Sequence, residues 1–173
     1  MSIPEDGRIL YFARDRAAFG FLSHFFPAEI ALDGLTWRTV EHYYQAQKSD
    51  DPAYRDAIRS AVSPGMAKRL AAPPAAPRRI SAQSWFRKRG LLPRDDWHLV
   101  KLDIMRRADR AKFTQHDRLT SLLLDTGDAE LVEDSPFEAF WGTGPDGQGE
   151  NWAGRILMEI RADLRSQADR ADG

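Results

Sequence analysis

Apolar positions along the chain fall first in short runs and later at helical spacing. Residues 9–12 (Ile-Leu-Tyr-Phe) are a compact apolar run, too short for its period to separate strand from helix. In 29–37, β-prone residues flank Asp33-Gly34, which predicts a tight hairpin because glycine takes positive φ without steric cost. From Thr39 the spacing turns helical, and Thr39 caps a predicted helix running to about Ser49. Asp51-Pro52 and Ser63-Pro64 each set a capping side chain before a proline at the first helical position. They predict helices near 52–61 and 64–71.

Pro73, Pro74 and Pro77 stop this pattern, so 72–92 reads as a connecting loop with one local turn, long enough to touch a ligand or to be mobile. The longest predicted helix spans 95–113, with Trp97, Val100, Ile104, Ala108 and Ala111 as one buried stripe. A helix near 115–125 stops at Thr126-Gly127, and 130–133 reads as a short strand. Residues 141–151 are loop, and a last helix over 152–164 carries Ile156, Leu157, Ile160 and Leu164. The polar tail 166–173 is expected to fray. No repeat or linker divides the chain, so 1–165 is expected to form a single domain.

Composition narrows the function classes. The chain has 173 residues, 25 Lys and Arg against 26 Asp and Glu, and no cysteine. A disulfide framework, a thiol nucleophile and thiolate metal sites are therefore excluded. A net charge of −1 argues against nucleic-acid binding through an overall field while leaving room for a local basic patch. Asp6, Arg8, Arg14, Asp15 and Arg16 interrupt the first 20 residues, so neither a signal peptide nor a membrane span is expected there. The expectation is a soluble cytoplasmic protein without a membrane partner.

Two stretches carry candidate chemistry. In 37–48 (WRTVEHYYQAQK), Val40, Tyr43, Tyr44 and Gln47 share one helix side, while Glu41, Gln45 and Lys48 form a neighbouring strip. On an ideal helix Glu41 and Lys48 are ~20° apart in projection and ~10 Å apart along the axis, too far for an ordinary ion pair. They read either as solvated charges beside a core stripe or as an acid and an amine leaning onto one bound molecule. His42 lacks partners at metal-ligand spacing, and the other histidines (24, 98 and 116) are scattered, so no metal is expected. In 140–151 (FWGTGPDGQGEN), four glycines precede a helix start. This reads either as an anion cradle of backbone N–H groups suited to phosphate or as a connector whose glycines supply turns. Arg106, Arg107 and Lys112 on the long helix read as solvated, with a role in binding phosphate as the alternative. Phe19, Phe21, Phe25, Phe26, Trp37 and Trp141 are mostly core, with an aromatic beside the glycine loop able to stack on a base.

Taken together, these residues resemble a known family. Residues 39–48 (TVEHYYQAQK) are similar to the signature helix of the NADAR superfamily, which includes bacterial riboflavin-intermediate N-glycosidases of the YbiA type. The resemblance continues through Trp97, Met105-Arg106-Arg107-Ala108, Ala111-Lys112-Phe113 and Leu131-Val132-Glu133. It closes with Trp141-Gly142-Thr143-Gly144, Gly147-Gln148-Gly149-Glu150-Asn151, Gly154 and 157–161 (LMEIR). It implies a mainly α, α+β, compact helical domain with a small N-terminal β-hairpin region. The implied activity is hydrolysis of the N-glycosidic bond between a phosphorylated ribose and a base-like amine, without a cofactor. Substrates would be ribosylamino-pyrimidine phosphates of early riboflavin synthesis or ADP-ribosylated guanine, free or in DNA or RNA. On this reading Glu41 and Lys48 are catalytic. Phe25, His24, Tyr44, Gln45, Trp141, Gly142, Gly144, Asp146, Gly147, Gly149 and Asn151 contact substrate, with the glycine loop on its phosphate. The chain has Leu22-Ser23-His24-Phe25 where the family often has Phe-Ser-Asn-Phe, a change expected to alter one polar contact to sugar or base. The alternative from another class is a non-catalytic reader of ADP-ribose or NAD.

Overall fold

Asp33 and Gly34 both take positive φ, 55° and 73°, the pair of left-handed residues that a two-residue hairpin turn requires. A computed structural model describes residues 3–12 and 18–171; the charged run 14–16 and the last two residues of the predicted tail lie outside them. The fold is α+β, mainly helical with a few short strands. By its packing the chain divides into two units, Pro27–Ala108 and the paired stretches Met1–Phe26 and Asp109–Gly173. Among the described residues no helix is long and apolar enough to cross a membrane.

In the flanking unit, β1 (Arg8–Tyr11) pairs in parallel with β4 (Glu130–Glu133), Ile9 opposite Leu131. Ile9, Tyr11, Leu131 and Val132 are buried. Helix α8 (Trp152–Ala171) packs on β4 and on α7 (Asp117–Leu124). This approach needs Gly154, since a Cβ there would run into the Leu131 carbonyl. Ile156, Leu157, Ile160 and Leu164 are buried as predicted, and the helix continues past Leu164 to Ala171. Buried Arg161 holds the turn before β4, donating to Thr126 Oγ1 at 2.7 Å and the Ala129 carbonyl at 2.9 Å.

In the central unit, β2 (Ile30–Leu32) and β3 (Leu35–Trp37) form the predicted antiparallel hairpin, Ile30 opposite Trp37. All three predicted capping side chains accept their amides: Thr39 from His42 on α1 (Val40–Ala46), Asp51 from Tyr54 on α2 (Pro52–Arg59), and Ser63 from Met66 on α3 (Pro64–Leu70). Each such cap stabilises its helix by about 1 kcal/mol. Helix α1 packs against α2, α3 and β3. Tyr43 Oη donates to Asp33 at 3.0 Å, and Arg107 donates to both Asp33 and Tyr43. The hairpin turn is thereby fixed to α1 and to α6 (Trp97–Thr114).

Three expectations need correction here. The 72–92 segment contains two short helices, α4 (Arg78–Ser81) and α5 (Trp85–Arg89), the latter capped by Ser84 and ended by Gly90 at φ 65°. Helices of four and five residues show no period to read. On α6, Lys112 is fully buried, along with Asp109, Met105, Ala108, Ala111 and Phe113, so it is not a solvated charge. Trp97, Val100 and Ile104, expected in the buried stripe, are half-buried.

Candidate active site

In the central unit, α1 ends at Ala46 rather than near Ser49. Its last turn tightens, with the Lys48 amide donating to the Gln45 carbonyl at 3.3 Å, a three-residue spacing. Lys48 therefore leaves the helix axis, and the ideal-helix projection that set it beside Glu41 no longer applies. What replaces it is a cradle. Lys48 Nζ donates to the Ala71 carbonyl at 3.3 Å and lies 6.0 Å from the Tyr44 ring centre and 5.6 Å from the Trp97 indole. The two rings are themselves in contact, 4.9 Å between centroids. Half-buried Lys48 thus faces aromatic surface, where a cation gains about 0.5–2 kcal/mol.

One turn back on α1, Glu41 is 5% exposed and Gln45 is 3% exposed. Gln45 Nε2 donates to Glu41 Oε1 at 2.8 Å, an i,i+4 pair with correct helical geometry. Glu41 is therefore no solvated charge. The Gln45 backbone carbonyl accepts from Tyr54 Oη at 2.7 Å, which fixes the residue. Its side-chain Oε1 is buried and has no hydrogen-bond partner among the described residues. A buried amide oxygen left that way costs about 1–3 kcal/mol, so it is an acceptor ready for a ligand's N–H or O–H.

His42, next along, is a core residue. Nε2–H donates to the Ala61 carbonyl at 3.1 Å, and Nδ1 accepts from the Thr39 hydroxyl at 2.8 Å. Burial pushes its pKa down, against the pull of the Ala61 carbonyl and Glu41. The ring stays neutral in one tautomer.

The flanking unit holds a second polar cluster. His24, 7% exposed, donates Nε2–H to Asp109 Oδ2 at 3.0 Å, and the Trp141 indole meets its ring edge-on at 6.3 Å. Burial opposes charge on His24, but Asp109 outweighs it, and the pKa rises above the ordinary 6.5. Lys112 donates to the Ser23 carbonyl at 2.9 Å between the Phe26 and Phe113 rings, and burial lowers its pKa to about 8. The Phe25 amide donates to Ser23 Oγ. Asp109 Oδ1 and Tyr11 Oη, both buried, have no hydrogen-bond partner among the described residues. Sequence reading missed Asp109, although the signal was there: a carboxylate next to Ala108 on the apolar side of a long helix.

The glycine loop serves the chain itself. Amides of Gly149, Glu150 and Asn151 donate to the carbonyls of Thr143, Ala139 and Gly142. The first amides of α8, Trp152 and Ala153, donate to Phe140 and Trp141. These particular N–H groups are thus used within the chain rather than held open for a phosphate. Gly142 and Gly149 are needed because a Cβ at either would strike backbone carbonyls, and Gly144 and Gly147 take positive φ of 70° and 73°. Exposed Asp146 caps the loop by accepting the Gln148 amide. Asn151, itself at φ 52°, accepts from the Glu133 amide and donates to the Leu131 carbonyl. It therefore completes the open edge of β4. Among the described residues no group of three His, Cys, Asp or Glu gathers as metal ligands.

The NADAR domain family model matches residues 11–165, and the chain belongs to that family. It is 42% identical to N-glycosidase YbiA of Escherichia coli (strain K12) over 146 residues, covering 84% of this chain and 82% of the relative. It is 39% identical to N-glycosidase Npun_R5314 of Nostoc punctiforme, over 91% of this chain and 93% of that one. Riboflavin biosynthesis protein VVA0006 of Vibrio vulnificus is 39% identical over 92% of this chain, which spans only 39% of that longer protein. The NMR structure of the E. coli protein YbiA superposes with a TM-score of 0.74 at 36% identity, covering 96% of this chain and 93% of the other. Kinship at about 40% identity over most of both chains makes this protein an N-glycosyl hydrolase.

Proposed function

We propose that the protein cleaves the C1–N bond between a phosphorylated ribose and a guanine- or pyrimidine-like amine, with Lys48 as nucleophile and Glu41 as proton carrier. The observation that carries this reading is the setting of Lys48. Its amine is held against the Tyr44 and Trp97 rings and one carbonyl, while α1 also supplies the buried Glu41–Gln45 pair. Nucleophilic attack proceeds from the deprotonated fraction of an amine, and these contacts hold the Lys48 nitrogen in one place from which that fraction can react.

The chemistry balances without a cofactor. Glu41 hands a proton to the ring oxygen, C1–O opens, and the ribosylamine becomes an imine. Neutral Lys48 adds to C1, a proton moves to the departing nitrogen, and the base-like amine leaves. Water then adds to the Lys48 imine, and the open-chain sugar departs and recloses. The net reaction is ribosylamine plus water giving amine plus ribose. Gln45 Oε1 accepts a sugar hydroxyl or base N–H, and His24, Phe25 and Trp141 are assigned to sugar or base contact. The anionic tail is assigned to side chains, since the loop amides are engaged within the chain. Ribosylamino-pyrimidine phosphates and ADP-ribosylated guanine are the two substrate classes of this proposal, and a cytoplasmic setting belongs to it. Incubation with each, followed by detection of ribose 5-phosphate or ADP-ribose, is the test. Release from neither substrate at stoichiometric enzyme overturns the assignment.

A further inference from the structure

From Ala57 to Arg94 the chain carries nine Lys and Arg and no Asp or Glu, within a protein whose net charge is −1. Much of this excess is displayed on α4 and α5, where Arg78, Arg79, Arg87, Lys88 and Arg89 are all exposed. The aromatic residues of the same segment turn inward: Phe86 is buried 4.8 Å from the Tyr54 ring, and Trp85 is half-buried.

Neutral groups position these cations. Arg87 Nη1 donates to Ser81 Oγ at 2.8 Å, and the Arg89 guanidinium lies 4.9 Å from the Trp85 ring centre. Nearby Arg69 donates to Gln83 Oε1 at 3.0 Å. Among the described residues no carboxylate pairs with the five, so their charge is directed outward. Arg78, Ala82, Arg87 and Lys88 line a groove of about 450 Å³.

The segment is also rooted at one residue. It leaves α3 at Ala71, whose carbonyl accepts from Lys48 Nζ, and it returns at Arg94, whose amide donates to the Lys48 carbonyl at 2.8 Å. Both ends of the basic excursion are hydrogen-bonded to Lys48.

We infer that the face formed by residues 78–89 docks the phosphate backbone of a nucleic-acid strand. Guanidinium forks match phosphate oxygens two at a time, and five exposed cations on two successive short helices, three of them lining one groove, suit a repeating polyanion rather than one small phosphate. An anionic membrane is the weaker match. Helices of four and five residues are too short for an interfacial apolar face, Phe86 is buried, and among the described side chains Leu91 and Leu92 are the exposed large apolar ones next to the patch in sequence. That a docked strand also carries the substrate rests on the catalytic reading above, whereas docking itself does not.

The test is fluorescence anisotropy with a labelled single-stranded DNA, an RNA of the same sequence and the DNA duplex, titrated with salt. Each neutralised phosphate contributes about −0.7 to −0.9 to the slope of log affinity against log salt, so a slope between about −2 and −4 is expected. The triple reversal Arg78→Glu, Arg87→Glu and Lys88→Glu should weaken binding at least about tenfold and flatten the slope. Arg118→Glu on α7 should change neither. Circular dichroism checks folding, and Arg79→Gln with Lys88→Gln provides a milder pair giving a smaller loss. Turnover of a free ribosylamino-pyrimidine phosphate is read in the same variants. Retained turnover with lost binding supports the docking face, and absent turnover in wild type removes the catalytic reading alone. Oligonucleotide binding without a salt slope, undiminished binding by the reversal variant, or binding to phosphatidylserine vesicles in place of oligonucleotides overturns the inference.

Discussion

The Lys48 Nζ stands 5.6 Å from the centre of the Trp97 indole and donates to the Ala71 carbonyl at 3.3 Å. The contact joins the end of α1 to the start of α6 and sets the amine against a flat apolar wall. Borohydride added during turnover should therefore trap a sugar adduct on Lys48, read as an added mass on the peptide that contains it. Lys48→Met should give no adduct while folding normally. Trp97→Leu should keep the adduct but lower its rate of formation roughly tenfold, since the indole orients the amine without reacting. An adduct on another lysine, or none during active turnover, removes Lys48 from the mechanism.

Glu41→Gln makes a separate prediction. The substituted amide still offers an oxygen to Gln45 Nε2, which now bonds Glu41 Oε1 at 2.8 Å, so the helix should survive with little change in melting temperature. Proton transfer is lost, and general acid–base catalysis contributes about 10²–10⁴-fold. The expected result is a fall in kcat of that order with a smaller change in KM. Turnover near wild type would leave Glu41 as a structural partner of Gln45.

Local signals in the sequence were enough for most elements. Asp33-Gly34 specified the hairpin, and Thr39, Asp51 and Ser63 each found the amide that their capping position implied. The signature helix was legible too, but the path of Lys48 was not. Its place depends on a tightened last turn and on Ala71, 23 residues away, and helical spacing carries no information about either. Lys112 was misread for a related reason. A lysine at a helix position is read by default as solvated, and only the fold supplies the Ser23 carbonyl and the Phe26 and Phe113 rings that enclose it. The glycine loop shows the reverse failure. Its composition suits an anion, yet its amides turn back onto the carbonyls of 139–143.

That loop yields a prediction of its own. A Cβ at Gly149 would strike the carbonyls of Gly142 and Ala139, and one at Gly154 the carbonyl of Leu131. These are backbone atoms held in hydrogen bonds and cannot swing aside. Gly149→Ala and Gly154→Ala should each destabilise the protein by about 2–4 kcal/mol, within the range of strained or overpacked core substitutions, as measured by urea unfolding. Gly147 has open space around its Cβ position, so Gly147→Ala should cost only the strain of its positive φ, about 1 kcal/mol. Equal and negligible losses at all three would mean that the loop is not built on close backbone contact.

Lys112 gives the stability a definite dependence on pH. Burial lowers the pKa of its ammonium from 10.5 to about 8, with Asp109 opposing part of the shift. Below the folded value both folded and unfolded chains hold the proton, and the cost of burying the charge is constant. Between about 8 and 10.5 the unfolded chain binds a proton that the folded protein has released, so stability rises with pH across that window. At 1.4 kcal/mol per unit, the rise is at most about 3 kcal/mol. His24 works in the other direction. Its folded pKa lies above 6.5, so it contributes stability below the unfolded value and loses that contribution as pH rises through the folded one. Urea melts from pH 6 upward should therefore show a decline set by His24, followed by a climb that begins near pH 8. Lys112→Met should abolish the climb and leave the decline, whereas a climb that persists in Lys112→Met would assign the alkaline stabilisation to another group.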